Sequence, residues 1–284
     1  MLPTDFSPRF AATCTDAAAR CYAWIGENIL LPALPEHAAS PQPATPSFSL
    51  PQADALISAL GQPEADYLIG DRAGQACRLL FWPQGDAPDG YALHNLRAVH
   101  GSLDEGDFWI AARARQLVSW DREHRFCGYC GTATFPAPNE VARVCPNCHQ
   151  RHYARVSPAI MVLIKRGRQL LLARSPHFKA GMYSALAGFV EPGEACEGTV
   201  HREVMEEVNL RVKNLRWFDS QSWPFPHSLM LAFIADYDGG DIVCQPEEIE
   251  DAQWFDIDAL PDLPTRASIA RRLIEHVVSE MRAA

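Results

Sequence analysis

The chain has 284 residues and a formal net charge of −10 at neutral pH, and 48% of its residues are hydrophobic. This length allows two or three domains, and the surplus of acidic side chains argues against a protein that coats nucleic acid or an anionic membrane. No apolar run approaches the roughly 18 residues that a membrane-spanning helix needs.

The first residues of the chain and its cysteines indicate the cellular compartment of the protein. The start, MLPTDFSPRFAATC, lacks the basic residues and apolar core of a signal peptide. There are nine cysteines, and four of them fall in CxxC pairs, which suits metal binding in a reducing compartment better than a disulfide framework. We therefore expect a cytoplasmic protein with no membrane partner.

Residues 1–125 predict a small mixed α/β domain. The segment LPALPEHAASPQPATPSFSLPQ, at 31–52, is rich in Pro, Ala and Ser and predicts a surface loop. DYLIGDRAGQACRLLFW predicts two strands around a glycine turn, and DFWIAARARQLVSWDREHRF has the apolar spacing of a helix. These patterns indicate no function.

Residues 126–155 carry two CxxC pairs separated by 14 residues. The pairs are Cys127 with Cys130 and Cys145 with Cys148. Each pair can form a knuckle that points two thiolates at one ion, and two knuckles supply the four sulfurs that tetrahedral zinc prefers. Four thiolates leave no open coordination position, so we predict one structural zinc ion per subunit. With the site filled, His149 and His152 are expected to be ordinary surface residues.

Residues 156–284 predict a mixed sheet packed between helices. PAIMVLIKR and QLLLARS read as two strands joined at Gly167, and LMLAFIADYD and DAQWFDI as further strands. One helix is predicted from about Cys196 to Val208, and a closing helix in SIARRLIEHVVSEMRAA. Strands and helices do not alternate strictly, which favours a mixed sheet over a doubly wound parallel one. The expected fold class is α+β.

The first of these helices carries three carboxylates, Glu203, Glu206 and Glu207, beside Arg202. At about 100° per residue, all three are expected on one side of the helix, where like charges repel. A hard divalent cation, Mg²⁺ or Mn²⁺, would relieve that repulsion. From these residues alone, a solvated helix face remains an equal alternative.

The stretch GFVEPGEACEGTVHREVMEEVNL, Gly188 to Leu210, resembles the 23-residue signature of the Nudix hydrolases. The matching positions are Gly188, Glu194, Arg202, Glu203, Glu206 and Glu207. Asn209 stands where the family has glycine, and asparagine is the next most tolerant residue for a left-handed helix end. The resemblance implies an α/β/α sandwich that holds a divalent metal against a diphosphate while water attacks one phosphorus.

The resemblance also implies roles for these side chains. Glu203 and Glu207 would be the main metal ligands, and Glu206 would assist them. Glu207 is our candidate for helping to deprotonate the attacking water, so all three glutamates count as catalytic. Glu194 and Arg202 would brace the loop against the helix.

Downstream, SQSWPFPHS at Ser220–Ser228 is similar to the SQPWPFPxS array of the NADH pyrophosphatase branch of this family. Its prolines predict a stiff loop that presents Trp223 and Phe225, and Ser222 stands where the array has proline. A zinc ribbon upstream is also typical of the branch, so the resemblance extends from Phe126 to about Arg272. Before the ribbon, only LHNLRAVHG matches, and loosely.

This branch resemblance implies further contacts. The backbone of Ala187 and the side chain of Glu248 would bind the catalytic metal. Tyr153 and Phe189 would offer ring faces to nicotinamide or adenine, unless they are core aromatics. The implied substrate contacts are Arg97, Tyr153, Phe189, Gln221, Ser222, Trp223, Pro224, Phe225, Pro226, His227, Ser228 and Ala270.

The implied protein is a homodimeric hydrolase that cleaves NADH or NAD⁺ to nicotinamide mononucleotide and AMP and removes NAD caps from RNA 5′ ends. Two alternatives stay open. One is hydrolysis of another nucleoside diphosphate derivative such as ADP-ribose, for which Ser222 leaves room. The other is a non-catalytic zinc-ribbon module that binds RNA, against which the complete set of glutamates and the acidic total charge argue.

Overall fold

The structure is a computed structural model that describes residues 1–33 and 48–283, so most of the predicted loop at 31–52 lies outside the described residues. The chain divides into two compact units, Met1–Arg155 and Val156–Ala284. Both contain strands and helices, which confirms the α+β prediction. In the part of the chain that is described, no helix is long and apolar enough to cross a membrane. The domain division at 1–125, 126–155 and 156–284 stays a prediction.

The first unit contains a six-stranded sheet with two helices. Its elements are β1 (Phe6–Ser7), β2 (Arg20–Ile25), β3 (Asn28–Pro32), α1 (Ala53–Leu60), β4 (Ala65–Arg72), β5 (Gln75–Trp82), β6 (Tyr91–His94) and α2 (Glu105–Glu123). The strand order is β1-β4-β5-β2-β3-β6, and only the β2–β5 pair is parallel. The predicted strand pair and helix are therefore confirmed as β4, β5 and α2, whereas sequence reasoning missed β2, β3 and β6.

The cysteine-rich segment adds a small antiparallel sheet to the same unit. Its strands are β7 (Phe135–Pro136), β8 (Ala142–Val144) and β9 (Arg151–Tyr153). Asp121 of α2 is only 1% exposed, and it pairs with Arg143 of β8 and accepts a hydrogen bond from the Tyr67 hydroxyl at 2.7 Å. The indole nitrogen of Trp120 donates to the carbonyl of His152 at 2.7 Å. A buried ion pair and a backbone contact thus fix α2 to the ribbon.

The second unit is a mixed sheet between two helices. Its elements are β10 (Ser157–Arg166), β11 (Gln169–Arg174), β12 (Leu186–Phe189), α3 (Cys196–Val208), β13 (Arg211–Trp223), β14 (Ser228–Gly239), β15 (Asp251–Asp256) and α4 (Ile269–Ala283). The order is β13-β14-β10-β11-β15, with β12 paired to β10. The β10–β14 pair is parallel and the other pairs are antiparallel. The predicted strands and both predicted helices are confirmed.

The two faces of this sheet bury different helices. Met161 and Leu163 of β10 join the core beneath α4, whereas Ile160 and Val162 join the core beneath α3, as the two-residue period of a strand requires. The helices contribute Ile269, Leu273, Ile274 and Val277 from α4, and Val200, Val204 and Val208 from α3. The expected α/β/α sandwich is confirmed.

The aromatic array at Ser220–Ser228 is mostly strand, so the expectation of a loop over its whole length is wrong. Residues 220–223 complete β13, the turn covers only 224–227, and Ser228 begins β14. Gln221 pairs with Met230 and Trp223 with Ser228 across the ladder. The reason is local: the first proline of the array is at position 224, so nothing before it removes a backbone donor from the ladder.

Helix α3 ends at Asn209, whose φ of 57° and ψ of 32° are left-handed. Both Asn209→Gly and Asn209→Ala lose the side-chain bond to the carbonyl of Asp241, so their difference isolates the backbone effect. We expect the alanine variant to be less stable than the glycine variant by about 1 kcal/mol, because only glycine adopts this conformation without a Cβ penalty. Urea unfolding followed by circular dichroism measures the difference; equal stability of the two variants would contradict this account.

Candidate active site

The three glutamates of α3 have different environments. Glu203 and Glu207, one helical turn apart, are 8% and 4% exposed, whereas the side chain of Glu206 is 52% exposed. The expectation of one shared face is therefore only partly right. Two carboxylates point toward the sheet, and the third lies in solvent, where Arg202 binds it at 2.8 Å.

Arg202 connects the helix to the loop that precedes it. Its Nη1 donates to Glu203 at 2.8 Å, and its Nε and Nη2 donate to Glu194 at 2.6 and 2.9 Å. Its Nη2 also donates to the carbonyl of Phe189 at 3.0 Å. The Arg202 guanidinium and the backbone N–H of Glu191 lower the pKa of Glu194 to about 2, so this carboxylate stays ionised. Glu194 and Arg202 brace the loop against α3.

Gly188 allows Glu203 to approach the sheet. A Cβ at this position would lie 1.9 Å from the Cδ of Glu203, so no side chain fits between strand and helix. In the ladder between β12 and β10, Gly188 pairs with Ile160 and Ala187 with Met161. This pairing fixes both residues beside β10. The glycine of the signature is thus explained by close packing.

A cavity of about 340 Å³ opens beside the buried helix face. Ala187, Glu207 and Glu248, three of the predicted metal contacts, line it together, and Glu203 lies one helical turn before Glu207. The N–H of Gln245 donates to the carbonyl of Glu207 at 3.0 Å, which holds the segment carrying Glu248 against the end of α3. Sequence reasoning missed the other polar lining residues, because no recognisable pattern marks them. They are Ser175, His177 and Glu247.

Glu207 is electrostatically the least favourable group in this cavity. Its Oε2 is buried and has no hydrogen-bond partner among the described residues. Burial, together with the nearby carboxylates of Glu203, Glu248 and Glu206, raises the pKa of Glu207 to about 8. Burial also raises the pKa of Glu203. An unpaired carboxylate oxygen with further carboxylates nearby fits a hard divalent cation, which prefers oxygen ligands.

The four cysteines form the second candidate metal site. Their Sγ atoms all lie within 4.8 Å of one another, and three of the pairs are separated by 3.5, 3.5 and 3.6 Å. A tetrahedral site with Zn–S bonds of about 2.3 Å separates its sulfurs by about 3.8 Å, so the cluster fits zinc. Over residues 1–33 and 48–283, this is the one group that brings three or more ligand atoms so close.

The two histidines of the ribbon are not equivalent. His149 is exposed, as predicted, but its φ of 62° places it at the left-handed turn of the second knuckle, where the first knuckle has Gly131 at 71°. His152 is partly buried, its Nε2 is enclosed, and its ring lies 5.7 Å from that of His124. The expectation of a surface residue is wrong for His152, because β9 places alternate side chains toward α2.

The implied substrate contacts of the second unit differ in accessibility. Phe189 is 55% exposed and therefore not a core aromatic. Trp223 and Phe225 form an edge-to-face pair at 5.2 Å beside the turn that contains Pro224, Pro226 and His227. Ser222 is exposed, whereas Ser228 and Ala270 are buried. Whether these residues touch a substrate stays a prediction.

Gln221 is 3% exposed, and both of its side-chain polar atoms are engaged. Its Nε2 donates to the carbonyl of Ala267 at 2.8 Å, and its Oε1 accepts from the N–H of Ile269 at 2.7 Å. Gln221 therefore ties the end of β13 to the start of α4. Arg97 and Tyr153 belong to the first unit, where both are exposed, and their implied substrate role also stays a prediction.

Comparisons with known proteins show the family of this chain. Family models match in three places: a NUDIX domain at residues 155–277, an NADH pyrophosphatase zinc ribbon domain at 122–153, and an NADH pyrophosphatase-like rudimentary NUDIX domain at 18–120. A protein of Pseudomonas syringae described as NAD-capped RNA hydrolase NudC is 52% identical over 217 residues, which are 76% of this chain and 78% of that one. One of Chromobacterium violaceum with the same description is 64% identical over 172 residues, or 61% of this chain and 65% of that one.

The sandwich fold, the buried glutamates and the bracing arginine are the features that define the class. The chain belongs to the Nudix hydrolases, in the group that carries the NADH pyrophosphatase zinc ribbon. The resemblance seen in the sequence is thereby confirmed, including the zinc ribbon, whereas the rudimentary Nudix domain at 18–120 was not predicted from the sequence.

The buried carboxyl of Glu207 predicts a pH dependence of stability in protein without added divalent metal. Its pKa is about 8 in the folded protein against an ordinary value of 4.5, so the folded state holds a proton that the unfolded chain releases. Between these values, the free energy of unfolding should fall as pH rises, by up to about 1.4 kcal/mol per pH unit from this group. Glu207→Gln should flatten this slope in denaturant unfolding from pH 5 to 8. A variant with the wild-type slope would contradict the assignment.

Proposed function

We propose that the protein is an NAD(H) diphosphatase. It cleaves the diphosphate of NADH or NAD⁺ to the corresponding nicotinamide mononucleotide and AMP, and it removes NAD caps from RNA 5′ ends. The observation that carries the proposal is the unpaired, buried Glu207 in a cavity that Glu248 and Ala187 also line. The relatives described as NAD-capped RNA hydrolases and the aromatic array at 220–228 support the choice of substrate.

Glu203, Glu207, Glu248 and the carbonyl of Ala187 would hold the catalytic Mg²⁺ or Mn²⁺. When bound, such an ion neutralises charge on the phosphate oxygens and lowers the pKa of a bound water. Glu207 then acts as the base that takes the proton of the attacking water. A bound cation would favour the ionised form of this carboxylate, which is the form that can accept a proton.

The remaining side chains orient the substrate. Phe189 offers an exposed ring to a flat nicotinamide or adenine base, and Trp223 and Phe225 provide further aromatic surface. Gln221 contributes indirectly: its hydrogen bonds fix the start of α4, which carries Ala270. Arg202 binds and orients Glu203 and Glu206 and leaves Glu207 without a partner.

The zinc of the four-cysteine site is structural in this proposal, with one ion per subunit. The active form is a homodimer in the cytoplasm, where reducing conditions keep the ribbon cysteines available to zinc instead of paired in disulfides. Sedimentation of the zinc-loaded protein at micromolar concentration tests the dimer, and a single species of monomer mass would reject it.

Product analysis tests the chemistry directly. Purified protein is incubated with NADH and Mg²⁺ or Mn²⁺, and the products are separated by chromatography. We expect reduced nicotinamide mononucleotide and AMP in equal amounts. Glu207→Gln should lose about 10²- to 10⁴-fold in kcat, because it removes both a metal ligand and the base. Glu206→Gln is the matched control on the same helix and should lose much less, since Glu206 is exposed. Equal losses in both variants would overturn the role of Glu207.

A substrate panel separates the proposed activity from its neighbour. NAD-capped RNA, NADH and ADP-ribose all contain the same diphosphate, so the metal site alone cannot distinguish them. We expect kcat/KM for ADP-ribose to be at least about 10-fold lower, which corresponds to roughly 1.4 kcal/mol of binding by the nicotinamide end. A preference for ADP-ribose would keep the hydrolase and refute the substrate assignment.

A further inference from the structure

The cavity beside Glu207 has two walls that begin where two strands separate. β11 and β15 pair from Gln169 with Asp256 to Arg174 with Asp251. Beyond that last pair, the chain after β11 forms one wall with Ser175, His177 and Phe178, and the chain before β15 forms the other with Glu247, Glu248 and Ile249. No ladder holds these two segments together, so their separation depends on other contacts.

Arg174 supplies those contacts from both its backbone and its side chain. Its carbonyl accepts from the N–H of Glu250 at 2.9 Å, and its Nε lies 2.8 Å from the Glu250 carboxylate. Its Nη1 donates to the carbonyl of Lys179 at 2.7 Å and, more weakly, to that of Phe178 at 3.4 Å. A single guanidinium thus binds the wall that carries Glu248 and the wall that carries Phe178.

Arg174 does not itself line the cavity, although Ala173 and Ser175 on either side of it do. Its side chain is only 16% exposed, so water screens its ion pair less than it screens the many exposed pairs of the surface. The contacts therefore act on the shape of the cavity without occupying it.

We propose that Arg174 is a positioning residue that sets the separation of the two cavity walls and so places Glu248 opposite Glu207. The inference rests on the proposed metal site, because Glu248 acts there as a ligand. Arginine is required since its planar fork donates in two directions at once, to a carboxylate and to backbone carbonyls. The single ammonium of lysine cannot reproduce that geometry despite its equal charge.

Metal binding tests this inference without relying on turnover. The zinc-loaded protein is titrated with Mn²⁺, and free Mn²⁺ is measured by electron paramagnetic resonance. We expect Arg174→Lys to raise the Kd for Mn²⁺ by about 10- to 100-fold, the loss typical of groups that orient metal ligands. Glu250→Ala, which removes the carboxylate partner at a half-exposed position, should weaken binding in the same direction.

Arg168→Lys is the matched control. It makes the same substitution just before β11, in an ion pair with Asp258 in which both side chains are more than half exposed. This variant should bind Mn²⁺ as the wild type does. A role in stability alone would lower the melting temperature of Arg174→Lys and leave its Kd unchanged, and that result would overturn the inference.

The outcomes also distinguish the inference from its premise. If the wild type binds no Mn²⁺ beyond its zinc, the proposed metal site fails and the inference fails with it. If the wild type binds Mn²⁺ and both Arg174→Lys and Glu250→Ala bind it equally well, only the positioning role is refuted. Should Arg174→Lys not fold, Glu250→Ala alone decides between these results.

Discussion

The second unit depends on one unfavourable arrangement, a carboxyl group buried in α3 with no donor to satisfy it. Leaving such a group unpaired costs about 1–3 kcal/mol or more. The surrounding structure keeps Glu207 buried and offers it no hydrogen-bond donor. Gly188 admits the helix close to the sheet, Arg202 is occupied by three other glutamates, and Gln245 closes the end of the helix. A cation bound to Glu207 would offset this cost, so the fold leaves the carboxylate available for metal binding.

The hydrophobic cores of the sandwich offset the unfavourable free energy of the buried carboxyl group. Three valines of α3 and the aliphatic side chains of β10 form one core, and α4 closes a second core on the opposite face. Each fully buried aliphatic side chain contributes about 1.5–3 kcal/mol. α3 therefore keeps its position although two of its inward-facing residues are acids. The same helix serves packing and chemistry because valines and glutamates occupy different positions of its 3.6-residue period.

Features with a fixed spacing could be predicted from the sequence, and features that arise from tertiary packing could not. The CxxC pairs, the extent of α3 and the left-handed Asn209 follow from local rules and are found as expected. The separation of Glu206 from its two neighbours was missed, since helical geometry alone does not say where the sheet lies. The strand at Ser220–Trp223 was missed because it opens with three consecutive polar residues, which indicate a loop as readily as an edge strand. The position of His152 depends on where α2 packs.

The pairing of Asp121 with Arg143 has a consequence for how the first unit responds to zinc. Arg143 is held by the ribbon, and the ribbon owes its shape to the four thiolates. If the ribbon came apart, Asp121 would lose Arg143 and keep Arg125 and the Tyr67 hydroxyl, so a buried carboxylate would be left with fewer groups to compensate its charge. The penalty would fall on the six-stranded sheet that α2 packs against, far in sequence from any cysteine ligand. Zinc binding by the ribbon and the stability of the rudimentary Nudix domain are thereby coupled, so removal of zinc would lower the free energy of unfolding of both.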